Sequence, residues 1–314
     1  MNTILNIPLT RQITFGFLIT LILPSVLGSC FVFYRITRNK QMFKQLNNQF
    51  IFCLFIVYFI QTTLDLPLTI IFLYRGVVAV QTQTFCAYWY ILISVLDMCT
   101  MYLNAYLSIE RYFLVFHNKF LFKYKIILHY IPLVLIPISS FIFVYGVVML
   151  YPCENHFVYY AIACGASCSI LTPDFGVFAW TVSFVVPLTI IIFFNIFLLA
   201  RILLHKRRML QKDVWQKNKG MILQLLSITG MLYISWLPIT LTTVISLAHP
   251  TPVLSEIQGY WLLIGLIYIP VLCSPITTSY AMPELRNDIR GWLKQRRPRV
   301  GTTRADPVNP TGTH

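Results

Sequence analysis

Between Cys86 and Tyr112 one apolar stretch carries a cysteine at its head, Asp97 in its middle and Glu110-Arg111-Tyr112 at its end. A guanidinium beside a carboxylate can form a charge-assisted pair that strengthens as water is withdrawn, or it can simply snorkel from the helix end toward headgroups; the residues alone leave both open. Asp97 lies 14 residues before Arg111, almost four helical turns, which sets both on one side of a helix. A carboxylate in so apolar a stretch is costly unless it meets a partner or a watery cavity. Asp97, and Asp65 just ahead of Pro67, are therefore candidates for binding a ligand; for Asp65 a role in hydrogen bonding around the Pro67 kink stands equally. Catalysis is not expected. The chain shows no interior grouping of Ser, His and Asp, no metal-ligand spacing and no phosphate loop, and His129 reads as an interfacial residue. Neither metal nor cofactor is expected.

Composition names the solvent these residues sit in. Of 314 residues 57% are hydrophobic and 11% charged, and the mean hydropathy of +0.71 excludes a water-soluble domain. A net charge of +14 invites a nucleic-acid reading, but that needs one continuous basic face on a soluble fold. Here the basic residues fall in alternate loops between apolar segments, so nucleic acid is not an expected partner and the lipid bilayer is.

Those segments run from about Ile13 to Ile36, Asn48 to Tyr74, Cys86 to Tyr112, Ile126 to Tyr151, Phe175 to Leu204, Gly220 to Ala248 and Ile257 to Met282. At about 1.5 Å rise per residue each crosses a hydrocarbon core of about 30 Å. Residues 1–12 lack the apolar core of a signal peptide, so the first span reads as a signal-anchor with an extracellular amino terminus. Of the 24 Lys and Arg, all but Arg11 and Arg75 then fall inside or at the inner membrane edge, which places the carboxyl terminus in the cytoplasm. In the tail, Arg286, Arg290, Lys294, Arg296, Arg297 and Arg299 stand with Leu285, Ile289, Trp292 and Leu293 in the amphipathic pattern of a short helix lying on anionic lipid. The expected fold is an all-α membrane protein: an extracellular amino terminus over 1–12, a seven-transmembrane helix bundle with a short amphipathic eighth helix over 13–297, and a disordered cytoplasmic tail over 298–314.

Four of the eight cysteines, Cys30, Cys53, Cys99 and Cys273, fall within spans, where a small buried thiol is the ordinary role. Cys86, Cys153, Cys164 and Cys168 fall on the outer side and permit two disulfides, with three connectivities open.

The triplet at the end of a cysteine-headed third span resembles the mark of the rhodopsin-like G-protein-coupled receptors. Ser235-Trp236-Leu237-Pro238 in span six, Ser183 to Pro187 in span five, and Ser274-Pro275 with Pro283-Glu284-Leu285-Arg286 beyond it extend the resemblance over nearly all of residues 13–297. It implies a disulfide from Cys86 to Cys168, leaving Cys153 with Cys164. It also implies that Glu110, Arg111 and Tyr112 couple to a heterotrimeric G protein, Arg111 pairing with the neighbouring acid at rest. The implied activation switch comprises Trp236 and Pro238 with Pro187, Ser274, Pro275 and Tyr280, and the prolines bend helices on physical grounds alone because each removes a backbone donor. The implied ligand pocket is lined by Asp65, Trp89, Tyr90, Ile93, Ser94, Asp97, Trp236, Ile264 and Tyr268.

Departures from the family pattern narrow the reading. Tyr58 replaces the Asp that binds sodium, Ser29 an Asn in span one, Asn195 a Tyr in span five and Ser274 the Asn before Pro275, while Tyr280 stands two places late. Asn218 replaces an acid that in some members locks the Arg, which weakens the expected resting restraint. Tyr268 stands where an opsin has its lysine, which excludes light sensing. The ammonium-binding Asp of amine receptors would fall at Ile93, one turn from Asp97, so a cation caught at Asp97 would sit deeper. Glu154, Asp174 and Glu256 against Arg11 and Arg75 give the outer rim a slight negative bias that favours cationic peptides. The expected protein is a plasma-membrane receptor, not an enzyme, that binds an extracellular small molecule or short peptide and activates a heterotrimeric G protein. The alternative, a small carrier or channel, calls for inverted repeats or a chain of ionisable residues that the sequence does not display.

Overall fold

The computed structural model describes residues 9–38, 46–208, 212–249, 251 and 261–281. The expected eighth helix and the tail lie outside the described residues, as do the side chains of Ile264 and Tyr280.

Among the described residues six helices are long and apolar enough to cross a membrane. They are α1 (Leu9–Arg38), α2 (Asn48–Arg75), α3 (Gln83–Phe116), α4 (Ile126–Leu150), α5 (Pro173–Ile202) and α6, whose helix runs Lys212–Ala248 with its apolar part at Thr229–Ala248. A seventh, α7 (Trp261–Ala281), is apolar over Gly265–Ser279. No strand occurs among the described residues. Leu27, Leu135, Ile142, Phe193, Ile196 and Ile234 are all exposed, an apolar exterior that requires a hydrocarbon solvent.

Helix α3 is the central post, packing against α2, α4 and α5, while α7 closes the ring against α1, α2 and α6. Close approach at the closure is made possible by Gly28, whose missing Cβ would stand 3.0 Å from Pro275 Cβ. The ends of α2 and α3 are built from local chemistry. Gly76 takes φ +79° beyond the last turn of α2, a conformation open to glycine without penalty, and Arg11 donates from α1 to the last-turn carbonyls of Leu73 (2.7 Å) and Phe72 (3.2 Å). Thr82, extended at φ −132°, accepts from Phe85 N–H and starts α3.

Prolines do more here than bend helices. Gln61–Asp65 precedes Pro67, Ile126–Tyr130 precedes Pro132 and Thr181–Val185 precedes Pro187, and each of these segments is a π-helical turn. A proline offers no N–H and its ring presses on the carbonyl one turn back, so widening that turn relieves the clash while lipid forbids fraying. The wide turns carry Gln61, Asp65, His129 and Ser183, all buried polar residues.

The disulfides join Cys86 to Cys164 and Cys153 to Cys168, which corrects the expected pairing of Cys86 with Cys168 and Cys153 with Cys164. The loop backbone decides the matter. Val78 N–H donates to Tyr159 O and Val158 N–H to Cys164 O, and the turn Ile162–Cys164 doubles back with Ala163 and Cys164 at φ 48° and 62°, returning Cys164 to the head of α3. Cys168 instead opens a short helix, Cys168–Leu171, where its N–H donates to Asn155 Oδ1 beside Cys153. Among the span cysteines Cys99 is buried as expected, whereas Cys30 is exposed on the bundle exterior.

Candidate functional site

Toward the disulfide end, α3, α4, α5, α6 and α7 surround a cavity of ≈ 150 Å³. Tyr90, Ile93, Ser94, Asp97 and Trp236 line it, all expected pocket residues. The loop helix contributes Ile170, so both disulfides bear on the cavity: one ties the loop to α3 and the other closes it upon itself. Close packing beneath Ile170 requires Gly176, because a Cβ there would overlap the Ile170 carbonyl oxygen. Trp180 and Phe184 complete an aromatic wall that sequence reasoning missed. Their rings lie 4.6 Å apart, and Phe184 stacks on Trp236 at 4.9 Å with 14° between the planes. Asp97 is 8% exposed and accepts from Gln61 Nε2 at 2.8 Å.

Asp65, Trp89 and Tyr268 are not part of this cavity, contrary to expectation. Trp89 Nε1 donates to Asp65 Oδ1 at 2.9 Å, Tyr268 OH donates to Asp65 Oδ2 at 2.8 Å, and Thr69 shares a 2.7 Å bond with Tyr268. Both carboxylate oxygens are therefore engaged by α3 and α7, and Asp65 is fully buried. The expected alternative, local bonding around Pro67, does not describe it either; Asp65 cross-braces three helices. The cause is the π turn: one inserted residue rotates the following side chains by about 100° relative to an unbroken helix, carrying Asp65 toward Trp89 and Tyr268.

At the opposite end of α3, Glu110 and Arg111 are each 1% exposed. The neighbour pair implied by the resemblance is not formed. Glu110 Oε1 is hydrogen-bonded to His129 Nδ1 on α4, whose Nε2 meets Gln49 Oε1 on α2 at 2.7 Å. His129 is fully buried, edge-on to Phe50, and so is not the interfacial residue expected. Its π turn aims it inward; a polar residue three places before Pro132 in an apolar segment was the available signal. Arg111 Nε and Nη2 have no hydrogen-bond partner among the described residues. Tyr112 packs on Phe194 and Phe197 of α5, and Arg201 lies 5.6 Å over its ring.

Of the other expected switch residues, Pro238 lies inside α6 two positions beyond Trp236, Pro187 follows the π turn of α5, and Pro275 lies inside α7 beside Gly28. Ser274 is buried, its hydroxyl without a partner among the described residues. The α5–α6 seam is held by Asn195 Nδ2 donating to Thr229 Oγ1 at 2.8 Å and Tyr233 OH donating to Leu188 O at 2.6 Å. Among the described residues a cavity beside Asp97 lies toward one end of α3 and the buried guanidinium of Arg111 toward the other.

No curated protein matches the chain. The family model described as 7 transmembrane receptor (rhodopsin family) matches residues 28–274, a stretch that holds Cys86, Asp97, the Glu110-Arg111-Tyr112 triplet, Trp236 and Pro238. With that match over most of its length, and with the helices and disulfides described above, the chain belongs to the rhodopsin family of seven-transmembrane receptors.

Proposed function

We propose that the protein lies in the plasma membrane with its disulfide end outside, binds an extracellular small molecule or short peptide in the cavity beside Asp97, and activates a heterotrimeric G protein through Arg111 at the cytoplasmic end. The observation that carries this reading is the place of Trp236. It lines the cavity, stacks on Phe184 and stands two residues before Pro238, so whatever fills the cavity presses on the residue beside a missing backbone hydrogen bond. Bending there redirects the half of α6 that leads toward the cytoplasmic end. The Asn195–Thr229 and Tyr233–Leu188 bonds are the contacts such a swing must strain or carry with it. Arg111, 14 residues from Asp97 and so about 20 Å away along α3, cannot touch the ligand, and its unbonded guanidinium nitrogens suit carbonyl acceptors on a docking partner. Family membership supplies the partner class, since receptors of this family act on G proteins.

The test is nucleotide exchange on purified G proteins by the receptor in nanodiscs, with Arg111→Ala as the control. Exchange by the wild type that Arg111→Ala abolishes supports the reading. Solute flux through receptor vesicles with no exchange on any G-protein class would sink it in favour of a carrier.

A further inference from the structure

We infer that the cavity takes a small organic cation whose body is about the size of one aromatic ring, its ammonium group held on Asp97 Oδ2. This rests on the reading of the cavity as the ligand site and narrows it, because a volume of ≈ 150 Å³ matches a ligand of about one ring.

Three observations converge. Asp97 is the one Asp or Glu among the described residues lining the cavity, and no Lys, Arg or His is among them. Its Oδ1 accepts from Gln61, a neutral donor, while Oδ2 accepts from none of the described residues. A carboxylate at membrane depth with one neutral hydrogen bond is poorly compensated, and the nearby Asp65 has both oxygens occupied and offers no countercharge. A bound cation supplies what the fold does not.

The aromatic wall of the same cavity suits the other half of such a ligand. Trp180, Phe184 and Trp236 form a continuous aromatic stack, and ring faces attract an organic cation as well as its apolar body. A volume of ≈ 150 Å³ is that of a protein cavity able to hold benzene. A bare metal ion fits the donors badly: no grouping of three or more His, Cys, Asp or Glu occurs among the described residues. Gln61 is a positioning residue in this scheme. Held in the π turn of α2, it occupies Oδ1 and turns Oδ2 to the ligand.

The experiment compares benzylammonium with ethylbenzene, its neutral isostere, on purified full-length receptor by thermal shift and calorimetry. Benzylammonium should stabilise and bind the wild type, and ethylbenzene should bind about 30-fold more weakly or not at all. Asp97→Asn should remove that preference, Asp97→Glu should keep part of it, and Gln61→Leu should weaken benzylammonium without creating a preference for ethylbenzene. The wild-type comparison needs no variant, so misfolding of a mutant cannot rescue or sink the idea. Equal binding of the two probes, no binding of benzylammonium, or displacement of it by millimolar sodium with choline inert would each overturn the inference. Ethylbenzene binding as tight as that of benzylammonium and abolished by Trp236→Ala would overturn the cation while leaving the cavity's role intact; no binding of either probe, with G-protein exchange unaffected by any cavity variant, would remove the cavity reading as well.

Discussion

Glu110 Oε1 and His129 Nδ1 are hydrogen-bonded to each other in the buried seam between α3 and α4, so the acid next to Arg111 is turned to a histidine one helix away, its Oε2 without a partner among the described residues. Gln49 holds the far side of the imidazole, and the three residues link α2, α3 and α4. Arg111 Nε and Nη2 have no hydrogen-bond partner among the described residues, Glu110 included.

Under the proposed function this arrangement predicts basal signalling. Removing the histidine with His129→Leu frees Glu110 to turn to Arg111, so basal nucleotide exchange per receptor at the surface should fall, while His129→Gln, which still donates, should keep it near wild type. A folded-state penalty of about 1–3 kcal/mol should accompany the Leu variant, because a buried acceptor loses its donor. Unchanged or raised basal exchange in His129→Leu would show that the histidine does not govern the arginine.

Arg111→Ala should abolish both basal and ligand-driven exchange and leave benzylammonium affinity within about twofold, since the guanidinium sits about 20 Å along the helix from Asp97. A comparable loss of ligand affinity would mean that the residue supports the fold and not the G-protein contact.

The disulfide pairing predicts a specific pattern of non-additivity. Cys86→Ser and Cys164→Ser should each lower surface expression, and the double variant should be no worse than either single, because one bond is lost in every case. Cys86→Ser with Cys168→Ser should be worse than both singles, since two bonds are lost. The opposite pattern would restore the Cys86–Cys168 connection.

Gly176→Ala tests the loop as a wall of the cavity. Its Cβ would collide with the backbone at Ile170, which must shift, so ligand affinity should drop about tenfold or more with the helix bundle still folded. Retained affinity in a well-expressed variant would show that the loop helix is dispensable for binding.

Tyr268→Phe tests the brace around Asp65. It removes a buried donor and should lower thermal stability in detergent by about 1–3 kcal/mol while leaving affinity unchanged, because Tyr268 lies outside the cavity. An affinity loss without a stability loss would return Tyr268 to the ligand pocket.

Much of this was legible in the sequence because lipid is an unforgiving solvent. Where backbone groups find no water, an apolar stretch must be a helix, so span lengths and the alternation of basic loops specified the bundle. Helical repeat alone put Asp97 and Arg111 on the interior side of α3, which holds a regular α-helix from Gln83 to Phe116. The prolines announced where helices are perturbed but not in what way. At Pro67 and Pro132 the turn ahead widened, and the inserted residue changed the phase of every side chain near it. For that reason only the tertiary structure could turn Asp65 to Trp89 and Tyr268, bring Gln61 to Asp97 and drive His129 inward to Glu110. The disulfides were open for a related reason: four outer cysteines allow three pairings, and the choice between Cys164 and Cys168 depends on a left-handed turn at Ala163 and Cys164 that no local pattern of apolar and polar residues encodes.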